Sequence, residues 1–103
     1  MRERAPRGWP NRLLVLYVAP NGLGRARVGI TVSSRVGNAV VRNRVRRRLR
    51  EALRARLDRL ASGQDFVLVA RPASAEATWS ELSSALDAAL QRAGATEATG
   101  ASV

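Results

Sequence analysis

The chain has 103 residues, which is enough for one domain with a modest core. Its formal net charge is +10, with 18 basic residues against 8 acids, and every basic residue is arginine. It contains no cysteine and no histidine, which excludes a disulfide framework, a thiolate nucleophile and the commonest general base and metal ligand.

The amino-terminal residues, MRERAPRGWPN, are rich in proline, glycine and arginine, a composition typical of loops. We expect a flexible basic arm over 1–11, a folded domain over 12–93 and a disordered tail over 94–103, where small polar residues have nothing to bury. No apolar run is long enough to span a bilayer, and no charged-then-apolar leader opens the chain. The expected location is therefore the cytoplasm.

Two apolar runs, 13–19 and 28–33, predict β-strands. Asn21-Gly22 between them is a strong hairpin signal, because both residues tolerate positive φ, so we expect an antiparallel pair. Alternation divides the first run between two faces, and both are apolar. One face carries Leu13, Val15 and Tyr17, and the other carries Leu14, Leu16 and Val18.

Residues 35–60 read as one long helix with a basic lead-in. Asn38 is the expected N-cap, and Gly37 lets the chain bend before it. Apolar residues recur every third or fourth position and predict a packed stripe: Val41, Val45, Leu49, Ala52, Leu53, Leu57 and Leu60. The helical wheel places four arginines on the opposite face, namely Arg44, Arg47, Arg48 and Arg54.

The charge of this helix indicates a polyanionic partner. Six of the nine residues from 42 to 50 are arginine and none is acidic, so the like charges repel one another unless an anion covers them. Residues 1–64 hold 16 arginines and 3 acids, a net charge of +13. Residues 65–103 hold 2 arginines and 5 acids, a net charge of −3. Arginine suits bidentate phosphate contacts, although a GC-rich coding bias would produce the same choice.

A third apolar run, 65–70, ends at Arg71-Pro72 and predicts another strand. A strand, a helix of about 20 residues and a strand form a βαβ unit with parallel pairing. Thr78 and Glu81 then form a capping box for a closing helix that stops at Gly94, and we expect Trp79 to anchor it in the core. The predicted fold class is α+β, a single open α/β sandwich with the order β-β-α-β-α.

No catalytic group is predicted on the chain. Its carboxylates form no D-x-D or E-x-x-E pair that could hold two magnesium ions, and no glycine-rich phosphate loop is present. Glu51 and Asp58 lie on the long helix at spacings that would balance Arg47, Arg54 or Arg59. We therefore predict no catalytic residue and no metal ligand, and a protein that binds rather than cleaves by itself.

The segment 27–53, RVGITVSSRVGNAVVRNRVRRRLREAL, resembles the signature of the bacterial ribonuclease P protein subunit, with Arg42-Asn43-Arg44 at its centre. The family usually has two lysines where this chain has Ser34 and Arg35. The resemblance implies an RNA-binding subunit of the endonuclease that removes the 5′ leader from precursor tRNA. Catalysis would belong to the RNA subunit and its Mg²⁺. The family also implies a left-handed βαβ crossover, against the general right-handed preference.

Carried over position by position, the resemblance implies two groups of RNA contacts. The residues expected to bind the substrate leader are Tyr17, Arg35, Arg42 and Asn43. The residues expected to bind the RNA subunit are Arg44, Arg46, Arg47, Arg48 and Arg50. The expected partners are the catalytic RNA subunit and the precursor tRNA leader, with no membrane and no small-molecule cofactor on the protein.

Two other functions are compatible with a basic helix. A general structured-RNA or ribosome-binding module would bind RNA equally well with or without a leader. An amphipathic helix on anionic lipid would need bulky apolar residues such as Trp or Phe at its polar boundary, and residues 39–60 contain no aromatic side chain.

The family usually begins with a helix that lies across the sheet, and residues 1–11 show no apolar periodicity that would form one. We therefore expect the sheet face bearing Leu13, Val15 and Tyr17 to be uncovered. We favour a true start codon upstream of Met1, so that an open frame there encodes the helix. The alternative is a protein that works with a half-built leader cleft.

Overall fold

Four strands form one mixed sheet, and two α-helices pack on one of its faces. The computed structural model describes residues 7–95, so residues 1–6 and 96–103 of the predicted arm and tail lie outside the described residues. The strands are β1 (Arg7–Pro10), β2 (Leu14–Pro20), β3 (Arg27–Thr31) and β4 (Gln64–Ala70). The helices are α1 (Ala39–Arg54) and α2 (Trp79–Ala93), with short 3₁₀ helices at Leu57–Arg59 and Pro72–Glu76.

The strand order is β1-β2-β4-β3. β4 pairs antiparallel with β2 and parallel with β3, so the predicted α+β class and the parallel β3-α1-β4 unit are confirmed. The left-handed crossover stays a prediction from the resemblance.

The predicted hairpin between the first two apolar runs is wrong, because β4 lies between β2 and β3. Tyr17 of β2 pairs with Val67, and Val67 pairs on its other side with Gly29 of β3. The Asn-Gly turn forms part of a wider loop that holds the start of β4. In this loop the side-chain amide of Asn21 donates to Asp65 Oδ1 at 3.0 Å, and the backbone N–H of Gly63 donates to the carbonyl of Arg25 at 3.2 Å.

Part of the predicted flexible arm is an edge strand. Residues 7–10 pair antiparallel with β2, which makes the observed order β-β-β-α-β-α, one strand more than predicted. An edge strand tolerates Pro10, because a proline there need not donate to a neighbouring strand. Trp9 packs against the core, and the guanidinium groups of Arg7 and Arg92 lie 4.9 and 5.9 Å from its ring centroid.

α1 is shorter than the predicted long helix and ends at Arg54. Its apolar stripe is confirmed as far as the helix extends, since Val45, Leu49, Ala52 and Leu53 are buried. Leu57 belongs instead to the following 3₁₀ helix and is 47% exposed. Just after the end of α1, the side chain of Arg56 turns inward and donates to Asp87 of α2 and to the carbonyl of Ala52.

The core lies between the helices and one face of the sheet. Leu14 and Leu16 of β2 and Phe66 and Leu68 of β4 are fully buried there, and burying each large apolar side chain contributes roughly 1.5 to 3 kcal/mol. The capping box of α2 is confirmed, and Gly94 ends the helix with a left-handed φ of 61°. The prediction that Trp79 anchors α2 was wrong, because its side chain is 44% exposed.

The opposite face of the sheet carries no helix within residues 7–95. Tyr17 is 38% exposed, which confirms the expected open face at this residue, whereas Val15 is half-buried. Leu13 was wrongly included, because it precedes β2 and is buried with the core. We call this surface of β2 and β4, with Val15, Tyr17, Val67 and Val69, the open face.

Candidate nucleic-acid interface

The start of α1 is held in one conformation by its lead-in. Gly37 has a φ of 155°, and a Cβ atom at this position would lie 2.9 Å from Val41 Cγ1, so glycine is required. Asn38 Oδ1 accepts the backbone N–H of Val41 at 3.0 Å, as the sequence predicted for the N-cap. Arg42 Nε donates to the carbonyl of Gly37 at 3.2 Å. These contacts fix the direction in which the first turn presents its side chains.

Three of the four predicted leader contacts share this corner of the molecule. Arg35 is exposed in the turn before α1, Arg42 is half-buried in the first turn, and Asn43 beside it is exposed. Tyr17 lies elsewhere, on the open face of β2, and β4 separates its strand from β3, which leads into the corner. The fold therefore places the aromatic residue on the sheet and the polar residues at the beginning of the helix.

The ring of Tyr17 lies over β1. It contacts Gly8, where a Cβ atom would stand 2.9 Å from Tyr17 Cε1, so this ring position requires glycine on the neighbouring strand. A groove of about 360 Å³ adjoins the ring and is lined by Tyr17, Ala19, Asp65 and Val67. The exposed ring and the apolar floor offer a surface for an unstacked base.

An ion pair lies at one end of this groove. Arg27 donates to the carboxylate of Asp65 through Nε at 2.8 Å and Nη2 at 2.9 Å, and Asn21 donates to the same carboxylate. The hydrogen bonds from Arg27 and then from Asn21 lower the pKa of Asp65 to about 2. The acid therefore stays ionised but paired, which reduces its repulsion of an RNA strand.

The residues predicted to bind the RNA subunit have different environments. Arg47 and Arg50 are exposed, and no hydrogen bond from either side chain to another residue in 7–95 is found. Arg46 is half-buried and donates to Asn43 Oδ1 at 3.0 Å. Arg47 and Arg50 are therefore free to meet phosphate.

Arg44 and Arg48 do not lie on a free face, in contrast to the helical-wheel prediction. Arg44 Nη2 donates to the carbonyl of Ala75 at 3.2 Å, and Arg48 Nη1 donates to that of Ala77 at 2.7 Å. Both side chains are half-buried against the connection between β4 and α2, and Arg44 Nε is buried without a partner among the described residues. Their contacts with RNA stay a prediction, and their contacts with this connection are structural.

The charge of α1 is not balanced within the described chain. The two ion pairs found in residues 7–95 are Arg27–Asp65 and Arg56–Asp87. The predicted pairing of Glu51 and Asp58 with arginines of the same helix is therefore wrong. The unpaired arginines leave a cationic surface that an external anion can neutralise.

Residues 7–95 contain no group of three or more acidic side chains that could hold a metal ion. Within the same range, no helix is both long and apolar enough to cross a membrane.

Comparison with known proteins identifies the family. The family model described as Ribonuclease P matches residues 4–94, which is most of the chain. The chain belongs to the ribonuclease P protein family. Among curated ribonuclease P protein components, that of Roseiflexus castenholzii is 45% identical over 93 residues, covering 89% of this chain and 76% of the relative. The protein component of Alkaliphilus metalliredigens is 42% identical over 80 residues, covering 78% of this chain and 72% of that relative.

Solved ribonuclease P proteins have the same fold. The Staphylococcus aureus protein superposes with a TM-score of 0.81 at 28% identity, covering 89% of this chain and 84% of the other. The Thermotoga maritima protein gives a TM-score of 0.76 at 25% identity, covering 84% of this chain and 83% of the other. The chain is thus a protein component of ribonuclease P, the enzyme that matures the 5′ end of tRNA, and a general RNA-binding module is not favoured.

Proposed function

We propose that this ribonuclease P protein binds the 5′ leader of precursor tRNA on the open face and at the start of α1, and binds the RNA subunit along the exposed side of α1. Two observations support the proposal. The open face carries a groove beside the exposed ring of Tyr17, and the arginines of α1 have no acidic partner within residues 7–95.

The leader half of the proposal rests on Tyr17. Stacking of a base on an aromatic ring contributes roughly 1 to 3 kcal/mol and does not depend strongly on sequence, which suits a site that must accept many leaders. Arg35 and Asn43 are exposed and Arg42 is oriented by Gly37, so the corner can contact phosphates and fix the direction of the strand.

The RNA-subunit half rests on Arg46, Arg47 and Arg50. Each phosphate contact releases condensed counterions, so a protein that supplies fixed cations reduces the Mg²⁺ that the folded RNA requires. In this proposal the catalytic Mg²⁺ ions belong to the RNA subunit, and the protein holds no cofactor. We also propose that it works in the cytoplasm, where bacterial precursor tRNA is made.

The test combines the protein, the RNA subunit from the same genome and two tRNA substrates at low Mg²⁺. One substrate carries a leader of several nucleotides, and the other has a mature 5′ end. We expect the protein to stimulate leader removal only when the RNA subunit is present, and to increase the affinity of the complex for the leader-bearing substrate.

Two outcomes would contradict the proposal. Equal affinity for both substrates would indicate an RNA-binding module that does not contact the leader. Cleavage by the protein alone would contradict its lack of predicted catalytic residues.

A further inference from the structure

A second groove lies on the other side of the sheet, between β3 and α1. It has a volume of about 360 Å³, within the range of small-ligand sites of about 300 to 1,000 Å³. Its lining includes Val28 and Leu57, two of the larger apolar side chains left exposed, at 43% and 47%. Leu53 and Ile30 complete the apolar part of the lining.

A row of arginines borders this apolar floor. Arg46, Arg50 and Arg54 also line the groove, and they follow one another at intervals of four residues along the helix. Their backbone positions therefore repeat about every 6 Å on one side of α1. No acidic side chain lines the groove, and none of these arginines is in an ion pair within residues 7–95.

We propose that this groove, which we call the β3–α1 groove, holds an unstacked nucleotide of the RNA subunit. The base lies on Val28 and Leu57, and the phosphates on either side of it contact Arg50 and Arg54. The inference rests on the proposed function, and it adds Val28, Leu57 and Arg54 to the residues that meet RNA.

Charge and shape favour a nucleotide strand over an isolated anion or an acidic peptide. A regular cationic row matches the repeated charges of a phosphate backbone, while the apolar floor matches the face of a base. An acidic peptide would have charges that alternate irregularly with its apolar groups.

The first test changes the floor without disturbing the core. Val28→Glu places a negative charge in the groove. Leu23→Glu is the matched control, because Leu23 is 37% exposed, Val28 is 43% exposed, and Leu23 does not line the groove. We expect Val28→Glu to weaken binding of the RNA subunit at least tenfold and Leu23→Glu less than twofold. Thermal melts of both proteins confirm that they are folded.

The second test examines the arginine row. Arg54→Gln should reduce the slope of log K against log salt concentration by about 0.7 to 0.9, the change expected for one lost phosphate contact. Arg59→Gln is the matched control, because Arg59 is exposed and does not line the groove. Equal slopes for wild type and Arg54→Gln would overturn the proposed contact.

The third test does not depend on the glutamate variant being stable. Because the chain has no cysteine, Val28→Cys introduces a single thiol that can carry a photoactivatable cross-linker. We expect cross-links to one short segment of the bound RNA subunit, with none from the same label on Ala88→Cys, an exposed position on α2.

The results separate this inference from the proposed function. Wild-type protein that fails to bind the RNA subunit overturns both. The groove proposal alone is overturned if three results occur together. The wild-type protein stimulates leader removal, Val28→Glu binds the RNA subunit with unchanged affinity, and residue 28 gives no cross-link to RNA. Cross-links from residue 28 to a protein instead of the RNA would assign the groove to a peptide and also overturn it.

Discussion

Arg56 donates to the carboxylate of Asp87 through Nε at 2.6 Å and Nη2 at 3.0 Å, which joins the chain just after α1 to the middle of α2. The same guanidinium donates to the carbonyl of Ala52 and to the hydroxyl of Ser83. The pair is asymmetric, because the Arg56 side chain is 8% exposed and that of Asp87 is 56% exposed. Its hydrogen bonds raise the pKa of Arg56 and lower that of Asp87.

Asp87→Ala should lower the free energy of unfolding by about 1 to 3 kcal/mol, because it leaves a buried guanidinium without its carboxylate. The loss should be smaller than that of a fully buried pair, since water already screens Asp87. Asp58→Ala is the matched control, because Asp58 is exposed and in no ion pair with a described residue. Urea denaturation measures both variants, and equal losses would contradict the role of the pair.

The stability of the protein should fall in acid. The folded-state pKa of Asp65 is about 2, below its ordinary value of 3.8, and that of Asp87 is also lowered. The unfolded chain therefore binds these protons more tightly than the folded chain. The stabilisation is complete above the ordinary pKa and is lost as the pH falls through the folded value.

Thermal melts at pH 6, 4 and 2.5 test this expectation, with Asp65→Asn and Asp87→Asn combined in one variant as the comparison. The double variant should be less stable at pH 6 and should lose less stability than wild type between pH 4 and 2.5. Identical pH dependence in the two proteins would show that these carboxylates do not couple to folding.

Arg47 and Arg48 are neighbours with different expected roles. Arg47→Ala should weaken binding of the RNA subunit and reduce the salt slope by about 0.7 to 0.9, with little change in stability, because Arg47 is exposed. Arg48→Ala should instead destabilise the fold by about 1 kcal/mol, because it removes the hydrogen bond to Ala77. Salt titrations and urea melts of both variants measure the contrast. A loss of stability in Arg47→Ala equal to that in Arg48→Ala would refute it.

Tyr17→Ala should weaken binding of a leader-bearing substrate by about 1 to 3 kcal/mol, the contribution of one stacked base. The Tyr17→Phe control keeps the ring and should bind within about 0.5 kcal/mol of wild type, since stacking does not need the hydroxyl. Binding of a substrate without a leader should not change in either protein. Fluorescence anisotropy with both substrates, in the assembled enzyme, gives the three comparisons.

Local signals in the sequence predicted well wherever a short-range contact decides the structure. Asn38 caps α1, and Thr78 and Glu81 form the capping box of α2, because each bond spans only three residues. The buried stripe through Val45 and Leu49 also followed from periodicity.

The predictions were wrong where contacts between residues far apart in the sequence decide the structure. The run containing Asn21 has the composition of a hairpin, but β4, about 40 residues later, pairs with both strands and separates them. Trp9 lies between two prolines, and only pairing with β2 makes its segment a strand. Helical periodicity cannot show that Arg48 reaches the carbonyl of Ala77, since the segment containing Ala77 is placed by tertiary packing.

For the open face and the arginines, the residue types were predictable and their arrangement was not. Tyr17 and Arg42 were selected through the resemblance, whereas the ion pair of Asp65 depends on the parallel register of β3 and β4. The β3–α1 groove has no local signature, because Val28 and Leu57 come from segments separated by the whole of α1.

The central position of β4 also sets the order in which a growing chain can fold. β2 and β3 have no hydrogen-bonded contact with each other, so the sheet cannot close until residue 70 has left the ribosome. By then the segment 1–64, with 16 arginines, 3 acids and a charge of +13, has already been made. Non-local pairing of this kind slows folding and prolongs the exposure of the unfinished chain. The nascent protein therefore presents its RNA-binding charge before it has a fold, so its own messenger and ribosomal RNA are the first polyanions it meets.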